Sequence, residues 1–220
     1  MNKILFVEGV PGSGKTTLVN EFLNNPNRSK CLHLIYSANV IPVNLVRQEI
    51  KNGRSLSIEE ARVVYSSRSY SEYWEEHIDI WNRFCAEKST MSCDFIVDAG
   101  LIQAPLYELL GLYMLNNEEI LYHIQHILDI VKKSFIPELI YLQTDCPALC
   151  IRTAIEKQKV QREQWVSGFC HWLGAAPYPL VKHYSGINGI EQFVEDRYQV
   201  DCFLLENLKV NKVIRYRKII

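Results

Sequence analysis

Residues 3–23 read KILFVEGVPGSGKTTLVNEFL, and the glycine-rich segment Gly9 to Thr16 lies at their centre. An apolar run from Ile4 to Val7 precedes this segment. Apolar residues with helical spacing follow it, at Leu18, Val19, Phe22 and Leu23. A short apolar run, a glycine-rich turn and a period near 3.6 residues are typical of a buried strand that leads into a helix. We therefore predict a strand over Lys3 to Glu8 and a helix after Gly14.

The segment Gly9 to Thr16 fits the pattern GxxxxGK[ST] at every fixed position. Glycines let the backbone curl, so that successive N–H groups point inward at phosphate oxygens. The helix that follows presents unpaired N–H groups and the positive end of its dipole to the same phosphates. This context predicts a nucleotide-binding loop. The predicted binding residues are Gly9, Pro11, Gly12, Ser13, Gly14, Lys15, Thr16 and Thr17.

Two side chains of the loop have predicted roles in chemistry. Lys15 is expected to reach the β- and γ-phosphates and to act in catalysis, and the Thr16 hydroxyl is expected to bind Mg²⁺. The predicted cofactors are therefore ATP and Mg²⁺.

Strand and helix patterns alternate along the rest of the chain. Further strands are predicted at Cys31 to Tyr36, Asp94 to Asp98, Leu139 to Leu142 and Lys212 to Tyr216. Helices are predicted after Ser57, over Pro105 to Leu115, over Glu118 to Ser134, from Pro147, and over Glu191 to Leu208. Such alternation favours an α/β fold with a parallel sheet covered on both faces. Trp165 to Gly189, rich in Gly, Pro and aromatic residues, is predicted to be a loop.

The sequence resembles the P-loop kinases of small molecules, in particular the thymidylate kinase and deoxynucleoside kinase group. Three segments carry the resemblance: Phe6-Val7-Glu8-Gly9, Phe95-Ile96-Val97-Asp98, and Asp145-Cys146-Pro147 with Arg152. The resemblance covers about three-quarters of the chain. It implies a three-layer P-loop NTPase fold with a five-stranded parallel sheet of order 2-3-1-4-5. It also implies one domain over residues 1–220, with a lid or substrate segment at about 156–189.

The chain departs from that group in three places. The lid of the group usually carries several arginines, where this chain offers Lys157, Lys159 and Arg162. The group usually has an arginine directly after the acid of the third strand, where this chain has Ala99. The second strand, around Tyr36 to Asn39, has no acid where deoxynucleoside kinases have a glutamate that acts as a base.

Asp98 is the strongest further candidate for catalysis. An aspartate at the carboxyl end of a strand beside the P-loop strand is expected to face the phosphate crevice. There it either holds Mg²⁺ or accepts a proton from an acceptor hydroxyl. The alternative is an ordinary aspartate at a strand end or helix cap.

The segment from Arg152 to Arg162 is basic, with Lys157 and Lys159 between them. A cation from a lid neutralises the charge that spreads over a transferring phosphoryl group, and Arg162 is predicted to fill this catalytic role. Arg152 is predicted to stack on adenine. The alternative is a solvated helix with ion pairs at four-residue spacing, such as Arg152 with Glu156.

A run of aromatic and basic residues follows: Trp165, Phe169, His171, Trp172, Tyr178, Lys182, His183, Tyr184 and Arg197. Aromatic rings can enclose a nucleobase. Core or loop anchoring is the more frequent role for such residues and is the favoured interpretation here.

Composition excludes several classes of protein. Lys and Arg number 24 and Asp and Glu number 25, so the net charge of −1 gives no overall attraction to nucleic acid or to anionic membranes. No apolar run is long enough to cross a bilayer. The seven cysteines form no CxxC pair and no convincing metal-ligand set, which favours reduced thiols in the cytoplasm.

The resulting hypothesis is an ATP-dependent kinase that transfers a phosphoryl group to a small molecule, with a nucleoside or nucleotide as the leading acceptor. Two alternatives stay open, namely a regulatory or switch P-loop NTPase, and a kinase of a non-nucleotide hydroxyl compound. The chain has no NKxD motif, which disfavours a GTPase. The expected partners are a nucleotide and a small-molecule substrate, without a membrane or duplex nucleic acid, and a homodimer is left open.

Overall fold

A computed structural model describes residues 1–25, 31–34, 56–161 and 163–216. At 31–34, 158–161 and 163–165 it describes the backbone alone. Arg162 and the last two residues of the predicted strand Cys31 to Tyr36 therefore lie outside the described residues.

The strands form one parallel sheet, as the alternating pattern predicted. Its strands are β1 (Lys3–Gly9), β2 (Cys31–Leu34), β3 (Asp94–Asp98), β4 (Ile136–Gln143) and β5 (Asn211–Tyr216). Four of them are described with their side chains and lie in the order β3-β1-β4-β5, and the short backbone segment β2 pairs with β3 at the edge. Each neighbouring pair is parallel. The P-loop strand β1 is thus central, between β3 and β4.

Helices connect the strands. Their bounds are α1 (Lys15–Leu23), α2 (Ile58–Ser66), α3 (Tyr70–Lys88), α4 (Gln103–Leu109), α5 (Asn117–Lys132), α6 (Pro147–Gln161), α7 (Glu163–Ala175), α8 (Pro177–Val181) and α9 (Gly186–Asn207). Within the described parts of the chain, no helix is both long and apolar enough to span a membrane.

The two faces of the sheet bury two separate cores. On one face, Leu5 and Val7 of β1 pack with Leu18 and Val19 of α1. On the other face, Ile4 and Phe6 belong to a much larger core to which the remaining long helices contribute. Because side chains alternate along a strand, Glu8 points to the same face as Ile4 and Phe6. This parity places a carboxylate inside the larger core.

Local capping explains where several helices begin. The Ser57 side chain accepts a hydrogen bond from the Glu60 N–H, and the Glu60 carboxylate accepts one from the Ser57 N–H, which is the capping box predicted from the sequence. Ser69 and Glu72 form a second box, so the helical stretch after Ser57 divides into α2 and α3. Asn116 and Glu119 form a third box at the start of α5.

The prediction of a loop from Trp165 to Gly189 is wrong, because this segment is largely helical. It contains most of α7, all of α8 and the start of α9. The apolar residues Phe169, Trp172, Leu173 and Ala176 recur at helical spacing and are buried. Their burial outweighs the cost of Gly168 and Gly174 within α7.

Candidate active site

The glycine-rich loop joins the end of β1 to the start of α1. Gly9, Gly12 and Gly14 have φ angles of 144°, 84° and 93°, a region that L side chains rarely adopt. The Ser13 N–H donates to the Val10 carbonyl at 3.1 Å. The helix begins at Lys15, directly after the left-handed Gly14. The loop thus directs the amino end of α1 toward the carboxyl edge of the sheet, where anions are favoured.

Gly12 also fixes how the loop packs against α6. A Cβ atom built on Gly12 would lie 2.2 Å from the Cys150 carbonyl oxygen and 3.2 Å from the Ala154 Cβ. The first turns of α6 therefore touch the loop backbone at a distance that only glycine permits.

Lys15 is folded back against the loop and is buried. Its Nζ donates to the carbonyl oxygens of Gly9 at 3.0 Å and Val10 at 2.9 Å. Burial, and after it the positive charge of Arg197, lower the pKa of Lys15 to about 8, although the negative charge of Glu8 opposes the fall.

Asp98 lies beside the loop, as its place on β3 predicted. Val7 and Asp98 are register partners in neighbouring strands. The Thr16 hydroxyl is 3.5 Å from Asp98 Oδ2, so the two residues expected to hold Mg²⁺ are adjacent. The next residue, Ala99, has a φ of 60° and donates its N–H to the Val7 carbonyl at 3.0 Å. The chain therefore turns sharply directly after Asp98.

Glu8 is the first residue whose importance the sequence interpretation did not bring out. Its carboxylate is fully buried and accepts hydrogen bonds from the N–H groups of Leu101 at 2.7 Å and Gln103 at 2.9 Å. Burial raises the pKa of Glu8 to about 7, although these backbone donors and Lys15 oppose the rise. Its signal in the sequence is a charged residue at the inward-facing position that ends an apolar strand.

A buried charged group on α9 was also missed. Arg197 and Asp201 are fully buried, and Tyr141 of β4 donates its hydroxyl to Asp201 Oδ2 at 2.5 Å. Tyr141 is the register partner of Glu8, so this group lies next to the end of the P-loop strand. Arg197 Nε and Nη1 have no hydrogen-bond partner among the described residues. The signal was present, because Arg197 and Asp201 share a helix face with Phe193, Val200 and Leu204.

Arg152, expected to stack on adenine, is held by a carboxylate of α9. Its Nε and Nη2 donate to Glu191 Oε1 and Oε2 at 2.8 and 2.7 Å, in a bidentate pair. The alternative ion pair with Glu156 is therefore not the one that Arg152 forms. Its side chain keeps 56% of its surface exposed, and stacking on adenine stays a prediction.

The predicted lid segment is docked on the body of the protein through α7. Arg62 of α2 donates to the Gly174 carbonyl at 3.1 Å, and His171 Nε2 lies 2.8 Å from the Leu56 carbonyl oxygen. Tyr107 of α4 contacts the rings of Phe169 and Trp172, with centroid distances of 5.6 and 5.5 Å. These aromatic residues therefore pack as core.

The last part of the aromatic run lies nearer the surface. Tyr178 and Tyr184 both donate to Asp196, at 2.8 and 2.6 Å. Lys182 and His183 are exposed.

Comparison with known proteins gives one family match. A family model described as the viral superfamily 1 RNA helicase core domain matches residues 5–63, which include most of β1, the glycine-rich loop and α1. The loop is a P-loop. A search of curated proteins found no match.

Among solved structures, the chain is similar to a thymidylate kinase from Candida albicans. The two share 16% identity with a TM-score of 0.41, and the alignment covers 99% of this chain and 85% of that chain.

Proposed function

We propose that this protein is an ATP-dependent phosphotransferase that acts on a small-molecule acceptor. The observation that carries the proposal is the distance of 3.5 Å between Thr16 Oγ1 and Asp98 Oδ2, directly beside the P-loop. A hydroxyl that ends a phosphate-binding loop and a carboxylate on the neighbouring strand can together hold Mg²⁺ at the phosphates of a nucleotide, which phosphoryl transfer requires.

The residues present fit a magnesium ion, because Mg²⁺ prefers hydroxyl and carboxylate oxygens. Thr16 and Asp98 would hold the ion, which when bound neutralises phosphate charge. Within the described residues no cluster of three or more His, Cys, Asp and Glu side chains offers a protein-only metal site.

The chain's own groups have separate tasks in this proposal. The loop N–H groups bind the phosphates, and Lys15 leaves the carbonyls of Gly9 and Val10 to reach the β- and γ-oxygens. Asp98 either holds Mg²⁺ or takes the proton of the acceptor hydroxyl. Arg162 brings positive charge to the transferring group, and the segment 156–189, which is docked on the body of the protein through α7, covers the reactants and excludes water.

A nucleoside or nucleotide is the proposed acceptor, on the strength of the sequence resemblance. This chain has Ala99 where the thymidylate kinase and deoxynucleoside kinase group has an arginine. A kinase that acts on another hydroxyl compound is therefore the alternative form of this proposal. The six cysteines whose side chains are described are thiols and not disulfides. A cytoplasmic location is proposed from the sequence pattern of the cysteines. The proposed partners are the nucleotide and one small molecule.

A regulatory P-loop NTPase is the second candidate. The family match over residues 5–63 favours it, because that match is to a helicase core. The two candidates differ in what accepts the phosphoryl group, a hydroxyl compound in the first and water in the second.

A thermal-shift screen tests the proposal. Nucleosides, nucleotides and aminoglycoside-like hydroxyl compounds are each added with and without an ATP analogue and Mg²⁺. A compound that binds only the native state raises the melting temperature by mass action. A kinase is expected to gain stability from one acceptor class, most strongly with the analogue present. A regulatory NTPase is expected to respond to the nucleotide alone.

A further inference from the structure

The Glu8 carboxylate connects two loops that meet at the proposed site. Glu8 is the last residue before the P-loop glycine Gly9. Its two oxygens accept hydrogen bonds from the N–H groups of Leu101, between Asp98 and α4, and of Gln103, the first residue of α4. One fully buried side chain thus spans from the phosphate-binding loop to the segment that carries the acid.

Two successive residues of β1 hold the two ends of that segment. The Val7 carbonyl accepts the Ala99 N–H at 3.0 Å, at the turn with positive φ. The Glu8 carboxylate accepts the Leu101 and Gln103 N–H groups, at the far end of the turn. Since the backbone between them is short, these bonds leave Asp98 and the start of α4 little freedom to move relative to β1.

An apolar residue at position 8 would pack into the same core without the cost of burying a carboxylate. It would however leave two buried N–H groups without an acceptor, and buried backbone donors are almost always satisfied. The Glu8 carboxylate, which belongs to β1, therefore caps the start of α4. Because Glu8 directly precedes the P-loop, this cap also ties the start of α4 to the phosphate-binding loop.

We propose that Glu8 is a positioning residue that fixes Asp98 relative to the P-loop through the amides of Leu101 and Gln103. Glu8 touches neither reactant, and the inference rests on the proposed phosphotransfer. The distance between Asp98 and the phosphates bound at the P-loop stays constant, because the carboxyl end of β1 holds both the loop and the segment after Asp98. Nucleotide binding at the loop is in turn transmitted to the first turn of α4.

Two substitutions and a matched control test the role of Glu8 in turnover. In Glu8→Gln, the amide oxygen accepts one N–H while the amide NH₂ faces the other donor. In Glu8→Asp, the carboxylate is one methylene shorter and cannot reach both amides. Both variants are expected to lose about ten- to a hundredfold in kcat, with KM for ATP within about twofold of wild type. Glu138→Gln, which changes a carboxylate paired with Lys3 at the surface of β4, is expected to keep both constants.

Amide hydrogen exchange measures an effect that a simple loss of stability would not change, namely the nucleotide-dependent protection of individual amides. In wild type, an ATP analogue with Mg²⁺ is expected to slow exchange at Leu101 and Gln103. In Glu8→Gln this nucleotide-dependent protection is expected to disappear, while the Val97 amide of β3 stays protected. Rates are normalised to the fraction of protein that is folded.

Three results would overturn the inference. The first is wild-type kcat in both variants, and the second is a raised KM for ATP with kcat unchanged. The third is that the exchange rates of the Leu101 and Gln103 amides in wild type do not change when the ATP analogue is added. This measurement needs no variant, so it decides the matter even if no variant folds. If wild type transfers no phosphoryl group to any acceptor, the proposed function fails, whereas the exchange experiment still decides whether Glu8 couples the two loops.

Discussion

The Arg197 guanidinium and the Asp201 carboxylate are both fully buried, and Nη2 donates to Oδ2 at 3.1 Å across one turn of α9. Tyr141 donates to the same oxygen from β4. Buried ion pairs contribute little net stability when both partners are exchanged for apolar groups, but the loss of one partner leaves an uncompensated charge. This pair therefore makes α9 sensitive to single substitutions beside the P-loop strand.

Arg197→Met is expected to lower the free energy of unfolding by about 3–5 kcal/mol, since Asp201 stays buried without its cation. Arg197→Met combined with Asp201→Asn is expected to cost less than the single change. Urea denaturation of the single and double variants measures the coupling. Arg83→Met is the control, because Arg83 pairs with Asp79 at the same spacing on the exposed face of α3. Its cost is expected below about 0.5 kcal/mol, and equal costs at the two sites would contradict the account.

A chain of neutral aromatic groups links α3 to α5 away from the P-loop. Trp81 Nε1 donates to His77 Nε2 at 3.0 Å, which leaves His77 Nδ1 to donate to His123 Nε2 at 2.8 Å. His123 Nδ1 then donates to the Tyr70 oxygen at 3.2 Å. Burial lowers the pKa of His77 to about 4 and that of His123 further still. Both imidazoles are therefore uncharged in the folded protein at neutral pH.

The stability of the protein is expected to fall as the pH drops below about 6.5. The unfolded chain takes up protons at both histidines near that ordinary pKa, whereas the folded protein does not. The stability they contribute is present above pH 6.5 and decreases toward pH 4, by about 2 kcal/mol for each histidine between pH 7 and 5. Urea denaturation at a series of pH values measures this slope. A His77→Gln, His123→Gln double variant is expected to flatten it. His183→Asn, at an exposed position with φ of 58°, is expected to leave it unchanged.

Gly12→Ala is expected to damage nucleotide binding and stability together. The added Cβ would meet the Cys150 carbonyl oxygen at 2.2 Å, and an alanine at φ 84° is strained by itself. We expect a loss of about 2 kcal/mol or more in unfolding free energy and at least about tenfold in ATP affinity. Gly168→Ala is the matched control in α7, where nothing lies within 4 Å of the new atom. That change is expected to add up to about 1 kcal/mol of stability, and an equal loss at both glycines would refute the close contact of α6 with the loop.

Asp98→Asn is expected to lower turnover far more than ATP affinity. The amide keeps the shape of the side chain but neither takes a proton nor balances the charge of Mg²⁺. Steady-state rates and calorimetric titration with an ATP analogue separate the two effects. Turnover within about twofold of wild type, a barrier change of only ~0.4 kcal/mol, would make Asp98 a structural residue at a strand end.

Sequence patterns predicted the parts of the fold that depend on local order. The alternation of strands and helices gave a parallel sheet, and Ser57 with Glu60 marked the start of α2, because both signals depend on residues close in the chain. The segment from Trp165 to Gly189 was misassigned because glycine and proline lower helix propensity locally, whereas burial of Phe169 and Trp172 against α4 and α9 decides the structure.

The candidate site was predictable in part for the same reason. The P-loop was predicted from the GxxxxGK[ST] motif, and Asp98 was predicted from its place at the end of a strand. The role of Glu8 depends on the amides of Leu101 and Gln103, 93 and 95 residues away, and this contact becomes visible only in the folded structure. The pairing of Arg197 with Asp201 follows helical spacing, but their place beside the P-loop strand depends on Tyr141 of β4. Arg152 is a further example, because its partner Glu191 lies 39 residues away, whereas helical spacing had suggested Glu156.

Phosphorus NMR of ATP and Mg²⁺ with the wild-type protein and the candidate acceptors tests the central claim most directly. The account predicts that ADP accumulates together with an equal amount of one new phosphorylated compound. It also predicts that release of inorganic phosphate without acceptor is slow, and that Lys15→Ala, which removes the predicted phosphate contact, abolishes the transfer. Equal conversion of ATP to ADP and inorganic phosphate with and without every acceptor would contradict the account, as would undiminished transfer by Lys15→Ala.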